Sequence, residues 1–289
     1  MNFTTFNFEP LLQQGLESMG FETATPIQQQ AIPVIMKNED LLACAQTGTG
    51  KTAAFLLPIL NKLVLEPEET TNTLIIVPTR ELALQIDQVL QGFSYFTNVS
   101  SIAIYGGSDG NVFEIERRAL EQHAHIIVAT PGRLIAHLNM GYVRFENIRH
   151  LIIDEADRML DMGFIDDIMK ITTFLPKERQ TLMFSATMPD GIRKLAKKLL
   201  NNPQQINIAT SKPAEGVMQA AYYVDDKQKN ALLCKLLHGK DDLSVLIFAS
   251  TKIKVKELER DLKRERLKVQ AIHSDLTQPE REDVLMRFR

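Results

Sequence analysis

The octapeptide Ala45-Gln46-Thr47-Gly48-Thr49-Gly50-Lys51-Thr52 sets two glycines before a lysine–threonine pair. A glycine-rich turn lets successive backbone N–H groups point at a phosphate chain. A helix that starts at the turn adds positive potential. In that setting Lys51 reaches the β and γ phosphates and the Thr52 hydroxyl serves Mg²⁺. Ala45 stands where the general pattern has glycine. The apolar run ending in "LLACA" precedes the turn and the apolar stretch "AAFLLPILNKL" follows it, so the motif has the strand and helix it needs.

A second cluster closes another apolar run. Leu151-Ile152-Ile153 leads directly into Asp154, Glu155 and, after Ala156, Asp157. Asp154, at the strand end, is placed to hold Mg²⁺ through water. Glu155 is placed to orient and deprotonate an attacking water. The same acids would also suit the N-terminus of a helix beginning "ADRMLDMGF". Two adjacent acids downstream of a phosphate loop favour the metal and base roles.

The elements that must position these groups are legible as a repeating theme. Between Asp40 and Ile208, short apolar runs end in polar or glycine residues, and each is followed by a helix-like stretch. The runs are "DLLACA", "TLIIVP", "SIAIYGG", "HIIVAT", "HLIIDEA", "TLMFSAT" and "INIAT". Several are apolar on both faces, as buried parallel strands require. Alternating strands and helices predict an open α/β sheet with ligands beyond the carboxyl ends of the strands. Small residues with Pro213 and Gly216 predict a linker over 209–216. That divides the chain into 1–208 and 217–289. The pattern restarts with "QAAYYV" as a strand, 227–238 as a helix, "SVLIFAS" as a buried strand and 252–266 as a charged helix.

Composition excludes several classes. The 289 residues are 44% hydrophobic and 24% charged, ordinary for a soluble globular protein, and the net charge is −3. A nucleic-acid partner must therefore be held by local groups. Cys44 and Cys234 form no disulfide framework or zinc pattern, which suits a reducing cytoplasm. "MNFTTFNFEP" is not a signal peptide, and no apolar run is long enough to cross a membrane. A monomer is expected.

"DEAD" at 154–157, together with "AQTGTGKT" and "SAT" at 185–187, resembles the DEAD-box family of ATP-dependent RNA helicases. "GFETATPIQ" (20–28) resembles the family's adenine-reading segment, and Phe3 stands where the family has an isolated aromatic. The resemblance implies two P-loop (RecA-like) α/β domains, the second incomplete, with ATP and Mg²⁺ as cofactors and RNA as partner. It implies a nucleotide site of Phe3, Gln28 and residues Gln46, Thr47, Gly48, Thr49, Gly50, Lys51 and Thr52. The Gln28 amide suits adenine's N6 and N7 edge, but a buried glutamine capping a helix is an equal reading. Phe3 could stack on the base or plug the core beside Phe6 and Phe8. "PTREL", "GG" and "TPGR" resemble the family's RNA-contacting segments, implicating Pro78, Thr79, Arg80, Gly106, Gly107, Thr130, Pro131, Gly132 and Arg133. Hydroxyls, arginines and backbone N–H groups suit phosphate and ribose and carry little base information. Ser185, Thr187 and Asp157 take the role of coupling ATP to RNA and domain closure.

"LIFAST" (246–251) and "HSDLTQPERE" (273–282) resemble motifs of the family's second domain, implicating Thr251, Gln278 and Arg281 in RNA binding. Ser274 replaces the usual glycine, and Ala24 a frequent proline. Thr277 and Glu280 have the form of a capping box, with Pro279 in the first turn, and Val284, Leu285 and Phe288 begin an apolar face. In the family, further motifs follow this segment, including arginines that reach the γ-phosphate. The resemblance therefore predicts a chain that stops within the second domain. Such a chain binds ATP but is impaired in turnover and unwinding.

Overall fold

The structure, a computed structural model, describes residues 1–106, 110–208, 218–239 and 243–288. The chain divides into two units, Met1–Lys212 and Pro213–Arg289. The residues of the predicted linker, 209–216, lie outside the described residues.

All seven predicted apolar runs of the first unit are strands: β1 Leu41–Cys44, β2 Thr73–Ile76, β3 Ser101–Ile104, β4 Ile126–Ala129, β5 His150–Ile153, β6 Gln180–Ser185 and β7 Gln204–Asn207. They form one sheet in the order β3-β4-β2-β5-β6-β1-β7, and every pairing is parallel. Parallel strands need helical crossovers, which cover both faces, so central strands are apolar throughout. Residues Leu74, Ile75 and Ile76 of β2 and Leu151, Ile152 and Ile153 of β5 are all fully buried.

One face is covered by α1 (Pro10–Ser18), α2 (Pro26–Met36), α3 (Lys51–Leu65) and α4 (Arg80–Phe93), around Phe55, Phe93 and Phe184. The other is covered by α5 (Gly110–Glu121), α6 (Pro131–Asn139), α7 (Ala156–Asp161), α8 (Ile165–Thr172) and α9 (Asp190–Leu199), around Leu134, Met159, Ile168 and Ile192. At the amino-terminal edge of the sheet, the Gln180 amide donates to the Ile35 and Glu39 carbonyls at 3.1 and 2.7 Å. Its Oε1 meets His150 Nδ1 at 3.0 Å and accepts from Lys62 Nζ at 3.3 Å. Polar groups there serve the fold and leave the opposite edge for ligands.

The second unit contains α10 (Lys229–Leu237), α11 (Lys252–Arg264) and α12 (Gln278–Phe288). Its two predicted strands are a correction. "QAAYYV" and "SVLIFAS" pair with nothing among the described residues, and Tyr223, Leu246 and Phe248 are exposed. β propensity makes a strand only when a neighbouring strand accepts the ladder. Both helices predicted there are present, and Asn230 of α10 donates to Asp261 of α11 at 2.8 Å.

Candidate nucleotide and RNA site

Because every strand is parallel, all strand-closing residues emerge on one edge of the sheet. The order of the strands then sorts them. β5, β6 and β1 are neighbours, and they carry Asp154–Asp157, Ser185–Thr187 and the Ala45–Thr52 loop. β3, β4 and β2 are neighbours on the other half, and they carry Gly106, Thr130–Arg133 and Pro78–Arg80. The two groups meet where β2 pairs with β5.

The phosphate loop runs from β1 into α3. Gly48 and Gly50 have φ of 83° and 91°, left-handed values that glycine adopts without strain. Gln46, Thr47 and Gly48 are exposed, and Thr49 Oγ1 donates to the Gln46 carbonyl at 2.7 Å. Lys51 is buried, and its Nζ donates to the Ala45 carbonyl at 2.6 Å, folding the ammonium across its own loop. Thr52 is half-buried in the first turn of α3.

Gln28 is buried in the first turn of α2. Its Oε1 accepts from Thr25 N at 2.8 Å, the helix-capping arrangement. Its Nε2 donates to the Gly50 carbonyl at 3.0 Å, a link to the phosphate loop that its local sequence did not announce. Phe3 is enclosed. Only 1% of it is exposed, with its ring centroid 6.0 Å from both Phe6 and Phe21. Enclosed this way, Phe3 takes the core-plugging arrangement, one of the two its sequence leaves open.

The acidic cluster is assembled at the end of β5. Asp154 is 3% exposed, and burial pushes its carboxyl up to about 6, against the opposing pull of the Lys51 charge and the Glu155 N–H. That N–H donates to Asp154 Oδ1 at 2.9 Å. Glu155 has φ of 52°, the left-handed turn that starts α7, and pairs with Arg158 at 3.2 Å. Asp157 Oδ2 accepts from Thr187 N at 2.9 Å and from Thr187 Oγ1 at 2.8 Å. Asp157 N donates to Ser185 Oγ at 3.2 Å, and Ser185 Oγ donates to the Thr187 carbonyl at 2.7 Å. Burial would raise the Asp157 pKa, but hydrogen bonds from Thr187, Ser185 and the Ala186 N–H leave it lowered. Asp157, Ser185 and Thr187 are thus brought together.

Among the described residues no group of three or more His, Cys, Asp or Glu could hold a metal. The site suits a cation that takes most of its ligands from water and phosphate, as Mg²⁺ does. Asp154 and Thr52 would hold it, and a buried carboxylate with a raised pKa gains from an adjacent cation.

On the other half, Thr79 caps α4 by accepting from Leu82 N at 3.3 Å, with Pro78 buried before it. The Arg80 guanidinium lies over the Tyr105 ring, 4.7 Å from its centroid. Gly106 is exposed, with no atom within 4 Å of where a Cβ would stand. Gly107 lies outside the described residues. Thr130 and Pro131 open α6, Thr130 N donates to the Ile104 carbonyl at 2.9 Å, and Gly132 is exposed with open space beside it. Arg133 is half-buried. It turns inward, and its Nε and Nη2 each lie 2.7 Å from Oε2 of the buried Glu116.

In the second unit, Thr251 caps α11 by accepting from Lys254 N at 3.2 Å. Asp275 accepts from Lys252 Nζ at 2.8 Å and Lys256 Nζ at 2.7 Å, tying the "HSD" segment to α11. Thr277 N donates to Glu280 Oε2 at 2.6 Å, and α12 then carries Gln278 and Arg281 in its first turns, as the capping pattern predicts.

Residues 25–195 match the family model for the DEAD/DEAH box helicase. The chain belongs to the DEAD/DEAH box helicases. Residues 228–289 match the helicase conserved C-terminal domain. The chain is similar to proteins named DEAD-box ATP-dependent RNA helicase CshA. It is 41% identical over 290 residues to that of Geobacillus kaustophilus, covering 99% of this chain and 61% of that protein. It is 42% identical over 288 residues to that of Bacillus cereus strain ATCC 10987, covering 99% and 54%. It is 39% identical over 291 residues to that of Bacillus subtilis, covering 100% and 58%. The chain therefore spans little more than half the length of these relatives. No described helix is long and apolar enough to cross a membrane.

Three residues of this helicase chain join the site without any sequence signal. Glu116, His137 and Tyr105 sit in ordinary stretches, and "FEIERRALE" reads as an exposed, charge-patterned helix. Only the tertiary fold reveals that one of its acids, Glu116, is enclosed.

Proposed function

We propose that this chain is the nucleotide- and RNA-binding part of an ATP-dependent RNA helicase, coupling ATP hydrolysis to local separation of an RNA duplex. The observation that carries the proposal is the division of one sheet edge. Phosphate-loop, acidic and "SAT" segments lie on β1, β5 and β6, directly beside three segments suited to a nucleic-acid backbone on β2, β3 and β4.

Placement supports a role for each residue. The Ala45–Thr52 backbone and Lys51 hold the phosphates, and Lys51 must leave the Ala45 carbonyl to do so. Gln28 reads adenine, exchanging its Gly50 bond for the base and so linking base to phosphate loop. Asp154 and Thr52 hold Mg²⁺, which would neutralise developing charge on the phosphates. Glu155 takes the proton of the attacking water. The Asp157–Ser185–Thr187 bonds pass the state of this site to the neighbouring RNA segments. The RNA is gripped by its backbone, independent of sequence, by Pro78–Arg80, Gly106 with Gly107, and Thr130–Gly132. Thr251, Gln278 and Arg281 add to that grip from the second unit. By the same reading the protein is a cytoplasmic monomer.

The test is binding and turnover with matched single strands of RNA and DNA. The expected result is ATP binding, tighter binding to RNA than to DNA of the same sequence, and slow phosphate release that Glu155→Gln removes. Equal binding of RNA and DNA would point to a DNA-directed relative of this enzyme class and overturn the proposal.

A further inference from the structure

Glu116, in the middle of α5, is 1% exposed, and its two oxygens are divided between two segments. Oε1 accepts from Tyr105 N at 3.1 Å, at the end of β3 beside Gly106. Oε2 accepts from Arg133 and also faces His137 Nε2 at 3.1 Å. A carboxylate only accepts, so His137 Nε2 carries a proton there. The other ring nitrogen, Nδ1, is hydrogen-bonded to the Tyr142 hydroxyl, whose pKa burial raises. His137 itself is fully enclosed.

Phe113, also on α5, completes the arrangement. Its ring stacks on His137 at 4.2 Å with 13° between planes, and the Arg133 guanidinium lies 4.4 Å over its centroid. Arg133 is thus held in plane by a carboxylate and on its face by an aromatic ring. A planar guanidinium matches both contacts at once. Tyr105 in turn carries Arg80 on its ring. One buried carboxylate therefore touches the segments after β3 and β4, and reaches the segment after β2 through Tyr105.

We propose that Glu116 is the positioning residue of the RNA face. It draws the Arg133 charge inward and fixes the Tyr105 backbone, so that the backbone N–H groups of the exposed Gly106 and Gly132 meet the RNA phosphates and Arg133 does not. This rests on the RNA reading given above. Gly106 and Gly132 are both open where a Cβ would project, which leaves their backbones approachable. The nucleotide segments sit on other strands, so the role is separable from ATP binding.

The test measures single-stranded RNA affinity over a series of salt concentrations, and adenine-nucleotide affinity, for the whole chain. Glu116→Gln keeps the shape but loses the charge that holds Arg133. It should bind RNA roughly tenfold more weakly, the lower end of what one hydrogen bond to a charged group contributes, with nucleotide affinity unchanged. A merely structural role would weaken both affinities or neither, and either result overturns the proposal. Arg133→Gln can still donate to Glu116. Its RNA affinity should fall while the slope of log affinity against log salt stays at the wild-type value. A slope smaller by about 0.7, one single-strand phosphate contact, would place Arg133 on the RNA and overturn the proposal. Tyr142→Phe is a milder change at the half-exposed end of the relay. It should weaken RNA binding with the slope kept, and full wild-type affinity in this variant counts against the relay. Wild-type chain that binds nucleotide but no RNA overturns the RNA reading itself, and this proposal with it.

Discussion

Lys51 and Glu155 answer to different tests because they act at different moments. On the proposed reading Lys51 would meet phosphate oxygens in both ground and transition states, so Lys51→Ala should weaken binding of ATP itself, read by titration calorimetry. Glu155 acts only on the attacking water. Glu155→Gln should leave ATP affinity intact and remove phosphate release, read in single-turnover assays. A Glu155→Gln chain that loses ATP binding instead would reverse the assignment of base and ligand. Gly50 offers a third test at this scale. Its φ is 91°, and a Cβ there would stand 2.5 Å from Gln28 Nε2. Gly50→Ala should cost about 1–3 kcal/mol in backbone strain, lower the melting temperature by several degrees and loosen nucleotide binding. The placement of these segments at strand ends was legible in the sequence, because Gly-Lys-Thr and Asp-Glu-Ala-Asp directly follow apolar runs or their turns. The environments of Arg133 and Phe3 were not. Their surroundings, Glu116 in one case and Phe6 and Phe21 in the other, come from distant segments.

The strands were readable for a different reason. A buried parallel strand must be apolar on both faces, and each of the seven runs is bounded by polar or glycine residues, so type and place were both marked. The two unpaired segments of the second unit carry the same pattern. Whether such a segment becomes a strand is decided by a partner, which local sequence does not contain. At the opposite edge of the sheet, His150 and Lys62 carry a pH dependence. Burial holds His150 down at about 3, with the Lys62 charge adding to the effect. Burial also lowers Lys62 to about 8. Each folded pKa lies below its unfolded value, so the unfolded chain binds more protons. For His150, stability is therefore lost as pH falls from about 6.5 toward 3, at up to about 1.4 kcal/mol per pH unit. For Lys62 the loss runs from about 10.5 down to 8. Urea unfolding at stepped pH should show this acid limb, and His150→Gln should flatten it. An unchanged limb in the variant would assign acid sensitivity elsewhere.

At the scale of the molecule, the two units differ in how much they enclose. Two cores fill the first unit, whereas Leu262 is the one hydrophobic side chain counted as buried among the described residues of the second. Limited proteolysis should therefore leave a resistant product ending near the Lys212–Pro213 division. Adenine nucleotide should protect that product further by mass action. Equal resistance of both units would contradict the expectation. The central claim is that one end of this sheet selects and holds an adenine nucleotide in position to act on RNA. Its most direct test is calorimetric titration of the wild-type chain with Mg-ATP and Mg-GTP in parallel. If Gln28 reads the base, ATP binds more tightly by about 1–3 kcal/mol, the value of a bidentate amide–base pair, and Gln28→Ala removes the difference. Equal affinity for the two nucleotides, or no binding of either, would contradict the account.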